Sequence, residues 1–289
     1  MRKSILSAIA SASLATMLLF AGCGGTEIAS NSDVKAESES ASKAEESVTS
    51  VDESLKKVTD AGKLILGLDA TFKPMGYTDE NDKIVGFDID LAEEVCKRLD
   101  IKLETYGVNW ETKEIDLNAG TIDCIWNGLS VSPSRKEQML MSDPYMNNAM
   151  VFTINSDSEM KTLDDLKGKT IAVQNGSTAQ EILADSDIYA DITVQELATN
   201  VEALNQLELG MCDAVFLDSV VAQYEINSTK KEFKIMDEGL EEEEYAIGFR
   251  KGDQALCDKI EETLSAMKAD GTVEKISTKW FGSDITTIK

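Results

Sequence analysis

The chain has 289 residues, and 53 acidic against 28 basic side chains give it a formal charge of −25. Such a surface repels nucleic acid and anionic lipid. No histidine occurs anywhere, which excludes His-based triads, His general bases and ordinary His metal sites.

The first residues set the compartment. Arg2 and Lys3 precede an apolar stretch over residues 5–22 that stops at the small pair Ala21 and Gly22, the layout of a secretory signal. Ser7, Ser11, Ser13 and Thr16 interrupt the stretch, which falls short of the roughly 18 apolar residues of a membrane span; a retained anchor helix is the alternative. Phe20-Ala21-Gly22-Cys23 resembles the lipobox of bacterial lipoproteins, with Phe20 where those proteins usually carry Leu. The resemblance implies cleavage of residues 1–22, acylation of the Cys23 thiol and a chain anchored by lipid to the extracytoplasmic face of the cell membrane. Residues 23–51 are Ser, Ala, Glu, Lys and Thr with almost no large apolar side chain, so they form a disordered tether that cannot offset its own chain entropy.

From residue 52 the composition turns globular, with more chain than one core needs and enough for two lobes. Residues 63–68 read as a strand ending at Asp69, and 84–95 pass from an extended stretch into a helix through Phe87, Leu91 and Val95. A strand over 101–106, a helix over 114–118 stopped by Gly120, and a buried strand over 122–126 follow. Strands alternating with helices predict an α/β fold with a mostly parallel sheet covered on both faces. The second half repeats this grammar: Leu117, Gly120, Asp123 and Gly128 recur at constant spacing as Leu207, Gly210, Asp213 and Asp218. Both repeats put polar groups at strand C-termini, where open α/β sheets bind ligands. The apolar run at 150–152 marks a lobe boundary and 245–249 a return, giving one lobe of 52–149 plus 246–289 and another of 153–242. Two crossings make a hinge. The acidic run at 241–244 reads as a solvated loop. Cys96, Cys124, Cys212 and Cys257 lie inside apolar patterns with no metal-binding spacing and read as buried free thiols.

Four features ask for one explanation. Arg135 follows Ser130-Val-Ser-Pro-Ser134, and its planar fork suits bidentate capture of a carboxylate, although a lone Arg can equally be a surface charge. Ser177 and Gln180 fit a capping box after the strand 170–173, and a helix N-terminus there presents free N–H groups to an anion, although capping boxes often only cap. Asp218 ends the strand from Ala214; its carboxylate suits an ammonium, or caps the next helix. With aromatic residues in the loops, these groups describe a site for a zwitterion.

Asp69-Ala-Thr-Phe-Lys-Pro-Met-Gly76, Gly86-Phe-Asp-Ile-Asp-Leu91, Gly120-Thr-Ile-Asp123, Ser130-Val-Ser-Pro-Ser-Arg135, Met141-Ser-Asp-Pro-Tyr145, Gly176-Ser-Thr178, Asp213-Ala-Val-Phe-Leu-Asp218 and Trp280-Phe-Gly282 follow in the order of a known family. From about Leu55 to Gly282 the chain resembles the polar amino-acid substrate-binding proteins of ABC importers, with Met141 where the family usually has Phe. The resemblance implies the two-lobed periplasmic-binding-protein fold (type II) with two crossover hinge strands, and capture of a free L-amino acid by hinge closure for delivery to the permease subunits of an importer. By the same resemblance, Arg135 clamps the ligand α-carboxylate with backbone groups at Ser130 and Ser177-Thr178, and Asp218, Ser130 and the carbonyl near Gly128 hold the α-ammonium. Phe72 and Trp110 become aromatic walls rather than core, Asp69 stands near the ligand side chain, and Asn127 occupies a position where relatives often carry Ser, Thr or Ala. A monomer without cofactor, metal or nucleic-acid partner is expected. Two rivals are an enzyme on the same fold, of the cyclic-acid dehydratase type, and a ligand-sensing module. The first lacks a nucleophile beside a base, and the second would continue into a membrane or signalling segment. The amino acid stays open among glutamine, cystine, cationic and other polar side chains.

Overall fold

The computed structural model describes residues 51–289 other than Lys230 and Leu240. The signal at 1–22, Cys23 and the tether up to residue 50 lie outside the described residues.

Helix α1 (Ser54–Ala61) closes at Gly62, whose φ of 66° is left-handed, and delivers the chain into β1 (Lys63–Leu68). A small antiparallel ribbon of β2 (Thr71–Phe72), β3 (Gly76–Thr78) and β4 (Ile84–Val85) leads to α2 (Phe87–Arg98), which buries Phe87, Leu91 and Val95 along one face. Then come β5 (Lys102–Gly107), a 3-10 turn Trp110–Thr112, α3 (Lys113–Ala119), β6 (Cys124–Ser130), α4 (Pro133–Gln138) and β7 (Leu140–Met141). Strand β8 (Met146–Asn155) carries the chain into a second set: β9 (Thr170–Gln174), α5 (Thr178–Asp185), β10 (Thr193–Leu197), α6 (Asn200–Glu208), β11 (Ala214–Asp218), α7 (Ser219–Ser228) and β12 (Phe233–Ile235). Strand β13 (Glu241–Phe249) brings it back, and α8 (Gln254–Ala269) and α9 (Thr272–Phe281) pack on α1 and α2.

The strands form one sheet in the order β10-β9-β11-β8-β13-β6-β1-β5, with β12 beside β8 and β7 beside β13. Strands β5, β1 and β6 are parallel, as are β10, β9 and β11, whereas β8 and β13 run antiparallel to each other and to their neighbours at the centre. The expected crossings near residues 149–152 and 245–249 thus fall inside two adjacent central strands. The internal repeat is structural: Asp123 Oδ2 accepts the N–H of Ile65 on β1 at 2.9 Å, and Asp213 Oδ2 accepts that of Thr170 on β9 at 2.8 Å. These two carboxylates pin neighbouring parallel strands, which leaves the strand ends beyond them to carry the polar groups.

Two expectations need correction or extension. Residues 241–244 are not a loop but the first half of β13, paired with β8 so that Glu243 lies opposite Asn148. The strand expected over 122–126 runs on to Ser130, because Cys124–Ser130 is buried along its whole length between layers. Cys96, Cys124, Cys212 and Cys257 are buried and unpaired, and burial pushes the Cys96 thiol up to about 12.

Candidate functional site

Four strand C-termini converge. Asp69 follows β1, Ser130 ends β6, Gln174 ends β9 and Asp218 ends β11. Gln174 Nε2 donates to Asp69 Oδ2 at 2.7 Å, joining the two parallel sets directly. Asp69 is held in place by its own turn: its Oδ1 accepts the Thr71 N–H at 2.9 Å and the Thr71 hydroxyl at 2.7 Å. Asn127, fully buried, braces the same corner by accepting the Asp69 N–H at 2.9 Å on Oδ1, while its Nδ2 has no partner.

Gly128 is a glycine for two reasons. Its φ is +57°, and a Cβ there would lie 2.8 Å from Phe72 Cε1 and 3.1 Å from Tyr245 Cε2. Its N–H donates to Asp88 Oδ2 at 2.8 Å; Asp88 is fully buried, and burial pushes its carboxyl up to about 7. Phe72 and Trp110 are 6% and 7% exposed, so both are largely enclosed. Trp110 packs against Leu117, Ile122 and Leu129, and Lys113 Nζ sits 4.8 Å over its ring.

Arg135 is 2% exposed, which rules out the surface-charge reading. Ser132 caps α4 by accepting the Arg135 backbone N–H at 3.3 Å, and the guanidinium points inward, where Nη1 donates to the Ser130 carbonyl at 2.8 Å and Nη2 to the Gly176 carbonyl at 3.3 Å. Both acceptors are neutral. Among the described residues no carboxylate lies within 4.0 Å of Arg135, so none of them is an ion-pair partner for this buried cation. Burial pulls its pKa down, and the carboxylates of Glu181, Glu114, Glu243 and Asp218 act against that pull. Lys113, also 2% exposed, donates to the same Gly176 carbonyl at 3.1 Å; burial first and Arg135 second bring its pKa down to about 8.

Ser177 is the N-cap of α5, with its hydroxyl accepting the Gln180 N–H at 3.1 Å and donating to the Gln174 carbonyl at 2.7 Å. The Ser177 half of the expected capping box is therefore present, but the return bond is not: Gln180 Oε1 accepts the N–H of Gly176, at 2.9 Å, rather than that of Ser177. Asp218 makes no cap bond to α7. Its Oδ1 instead accepts the Asn148 amide at 2.8 Å and the Tyr245 hydroxyl, and burial followed by the charge of Glu243 pushes it up to about 7. Ser130 Oγ donates to Glu243 Oε2 at 2.9 Å, and the Thr178 side chain faces the same carboxylate.

The structure thus gathers Asp69, Phe72, Trp110, Asn127, Gly128, Ser130, Arg135, Ser177, Thr178 and Asp218 at one junction of strand ends. Sequence reasoning missed Gln174, Lys113, Asn148, Tyr245 and Glu243. Among the described residues no cluster of His, Cys, Asp and Glu could hold a metal, and no helix is long and apolar enough to cross a membrane.

Residues 64–283 match the model of the bacterial extracellular solute-binding proteins, family 3. The chain belongs to that family. The L-cystine-binding protein TcyJ of Escherichia coli is 27% identical over 234 residues, covering 80% of this chain and 87% of the relative. The structure of Tv2483 bound to L-arginine superposes with a TM-score of 0.79 at 33% identity over 82% of this chain and 98% of that one. An ABC uptake transporter substrate-binding protein from Streptococcus pneumoniae with bound histidine gives a TM-score of 0.79 at 35% identity, covering 83% and 100%. Family membership makes this a solute-binding protein that works outside the cytoplasm, not an enzyme. Its fold is the two-lobed periplasmic-binding-protein fold of those structures, with β8 and β13 as the crossing strands.

Proposed function

We propose that this family member binds a free L-amino acid with a cationic side chain and hands it to the permease of an ABC importer. The observation that carries the reading is Arg135: a buried guanidinium bonded only to carbonyls, within reach of a helix N-terminus and in the field of buried Asp218, is a receptor for a zwitterion. Arg135, the Ser130 backbone and the Thr178 N–H take the carboxylate; Asp218 with Ser130 takes the ammonium. Phe72 and Trp110 enclose the aliphatic stem. Asp69, fixed by Thr71 and Gln174, still has acceptor capacity for a cationic end group. Relatives whose names specify L-arginine, histidine and L-cystine agree with a ligand that brings hydrogen-bond donors to that end.

Binding proceeds by closure of residues 52–149 plus 246–289 on 153–242 about β8 and β13. Ligand shifts the open–closed equilibrium by the contacts it makes to both halves. The protein acts as a monomer, tethered to the membrane by an acylated Cys23 and residues 23–51. A thermal-shift screen of the twenty amino acids plus cystine tests the reading, since ligand at 100 times Kd stabilises by roughly 2.7 kcal/mol. L-Arginine should rank among the strongest. Preference for an acidic side chain, or no response to any amino acid, would overturn it.

A further inference from the structure

The run of four glutamates at 241–244 enters β13, and pairing with β8 brings only one of them inward: Glu243 is half-buried while its three neighbours are exposed. Its Oε2 accepts Ser130 Oγ at 2.9 Å and Asn148 Nδ2 at 3.2 Å, and the same Asn148 Nδ2 donates to Asp218 Oδ1 at 2.8 Å. One amide therefore bridges two carboxylates whose oxygens lie within about 6 Å of each other, close enough for like charges to oppose ionisation. Asn148 is itself oriented by Ser219, whose hydroxyl donates to its Oδ1 at 3.2 Å. The groups facing Glu243 are Ser130 on β6, Thr178 on α5, Asn148 on β8, Arg135 on α4 and Asp218 on β11, with Tyr245 beyond it on its own strand. Only Arg135 among these is cationic, and the zwitterion reading assigns it to the ligand carboxylate.

We propose that Glu243 is the second acceptor for the ligand's α-ammonium, so that Asp218 and Glu243, held apart by Asn148, form a two-carboxylate receptor. This rests on the amino-acid reading of the site and adds a specificity-determining residue to it. Two acids so close cannot both stay ionised in a buried site without a cation between them, and both carboxyls are pushed above their ordinary range, first by burial and, for Asp218, next by Glu243. An ammonium seated between them replaces the proton that the pair would otherwise share. Binding then releases protons near neutral pH, and affinity falls as pH drops from 7.5 to 6, because protons compete with the ammonium for the pair.

The test is calorimetry with L-arginine, Nα-acetyl-L-arginine and wild type, Glu243→Gln and Arg135→Met proteins, in two buffers of different ionisation enthalpy. Glu243→Gln should weaken L-arginine about thirty-fold or more, reduce the buffer-dependent proton release to what buried Asp218 alone gives, and make the dependence between pH 6 and 7.5 shallower. Nα-acetyl-L-arginine, which lacks the cationic amine, should lose little further affinity in Glu243→Gln. The unliganded melting temperature of Glu243→Gln should match wild type, which separates a binding role from a folding role. Tighter L-arginine binding by Glu243→Gln would show instead that Glu243 competes with the ligand carboxylate for Ser130 and Thr178, and an equal penalty on the acetylated ligand would show only a diffuse field; either overturns the proposal. If wild type binds no amino acid, or Arg135→Met costs nothing, the zwitterion reading itself fails, a result distinct from an inert Glu243→Gln in a protein that binds.

Discussion

Replacing Arg135 by Met keeps the apolar stem and removes the guanidinium, and the structure says what that costs. Arg135 is 2% exposed and its two hydrogen bonds end on the carbonyls of Ser130 and Gly176, so no protein carboxylate is stranded by its loss. The penalty falls on the ligand, whose carboxylate would be buried without its cation. Truncating one partner of a desolvated, hydrogen-bonded charge pair costs roughly 2–5 kcal/mol, which at 1.4 kcal/mol per tenfold is about thirty-fold to a few thousand-fold in Kd. Calorimetry with L-arginine and L-argininamide reads it. The amide lacks the carboxylate charge, so it should bind wild type poorly and suffer little more from Arg135→Met. If the substitution penalises the amide as much as the free acid, Arg135 does not clamp the carboxylate.

Three further outcomes are expected. Trp110→Ala should weaken ligand binding by removing an aromatic wall while shifting the unliganded melting temperature little; a large drop without ligand would mark Trp110 as core, alongside Leu117 and Ile122. Asp88, buried with a carboxyl raised to about 7, binds a proton in the folded protein that the unfolded chain gives up at lower pH, so its favourable contribution is present below its ordinary range and lost as pH rises through about 7. By the size of that shift the loss is about 4 kcal/mol, accumulated between about pH 4 and 7; thermal unfolding of Asp88→Asn should lack it over that range, and an identical pH profile would refute the assignment. A chain beginning at Asp52 keeps the bonds that this carboxylate accepts from the N–H groups of Ser54 and Ala255 and should bind like the longer one, while Cys23→Ser in the full chain should leave the membrane fraction. Weaker binding by the shorter chain, or retention of the serine variant on membranes, would count against the tether and the lipid anchor respectively.

What the sequence made legible follows from geometry. A parallel strand buried on both faces is an unbroken apolar run, so a polar residue at its end stands out; this is how Asp69 and Asp218 could be read, whereas Ser130, beyond the strand expected over 122–126, came only through the family resemblance. Gln174 obeys the same rule, but the run at 170–173 was complete without it, and its 1% exposure and bond to Asp69 appear only once β9 faces β1. Glu243 was hidden by its neighbours: in a run of like residues, a two-residue period leaves no mark, and only pairing with β8 decides which glutamate turns inward. Lys113 carried no signal, since a lysine opening a helix reads as solvated; its burial comes from the Trp110 ring three residues back and from the Gly176 carbonyl, which is remote in sequence. The repeat through Asp123 and Asp213 was legible as a pattern but not as a role, because pinning a parallel neighbour requires that neighbour to be in place.

On the proposed reading, the turn before α5 makes binding and closure one event. Gly176 has a φ of +69°, and a Cβ on it would lie 2.6 Å from Glu111 Cα and 3.0 Å from the Trp110 carbonyl, so this turn can seat against the Trp110 wall only as glycine. Its carbonyl then receives two buried cations from the other side of β8, Arg135 at 3.3 Å and Lys113 at 3.1 Å. Two like charges on one acceptor oppose each other, and that opposition adds to burial, the larger cause, in bringing Lys113 down to about 8. A ligand carboxylate on Arg135 would relieve that opposition, strengthening the hold of both cations on Gly176. On the proposed reading, the differential contact that favours the closed form is therefore not confined to atoms touching the ligand: part of it is the repulsion between Arg135 and Lys113 that the ligand's own charge removes.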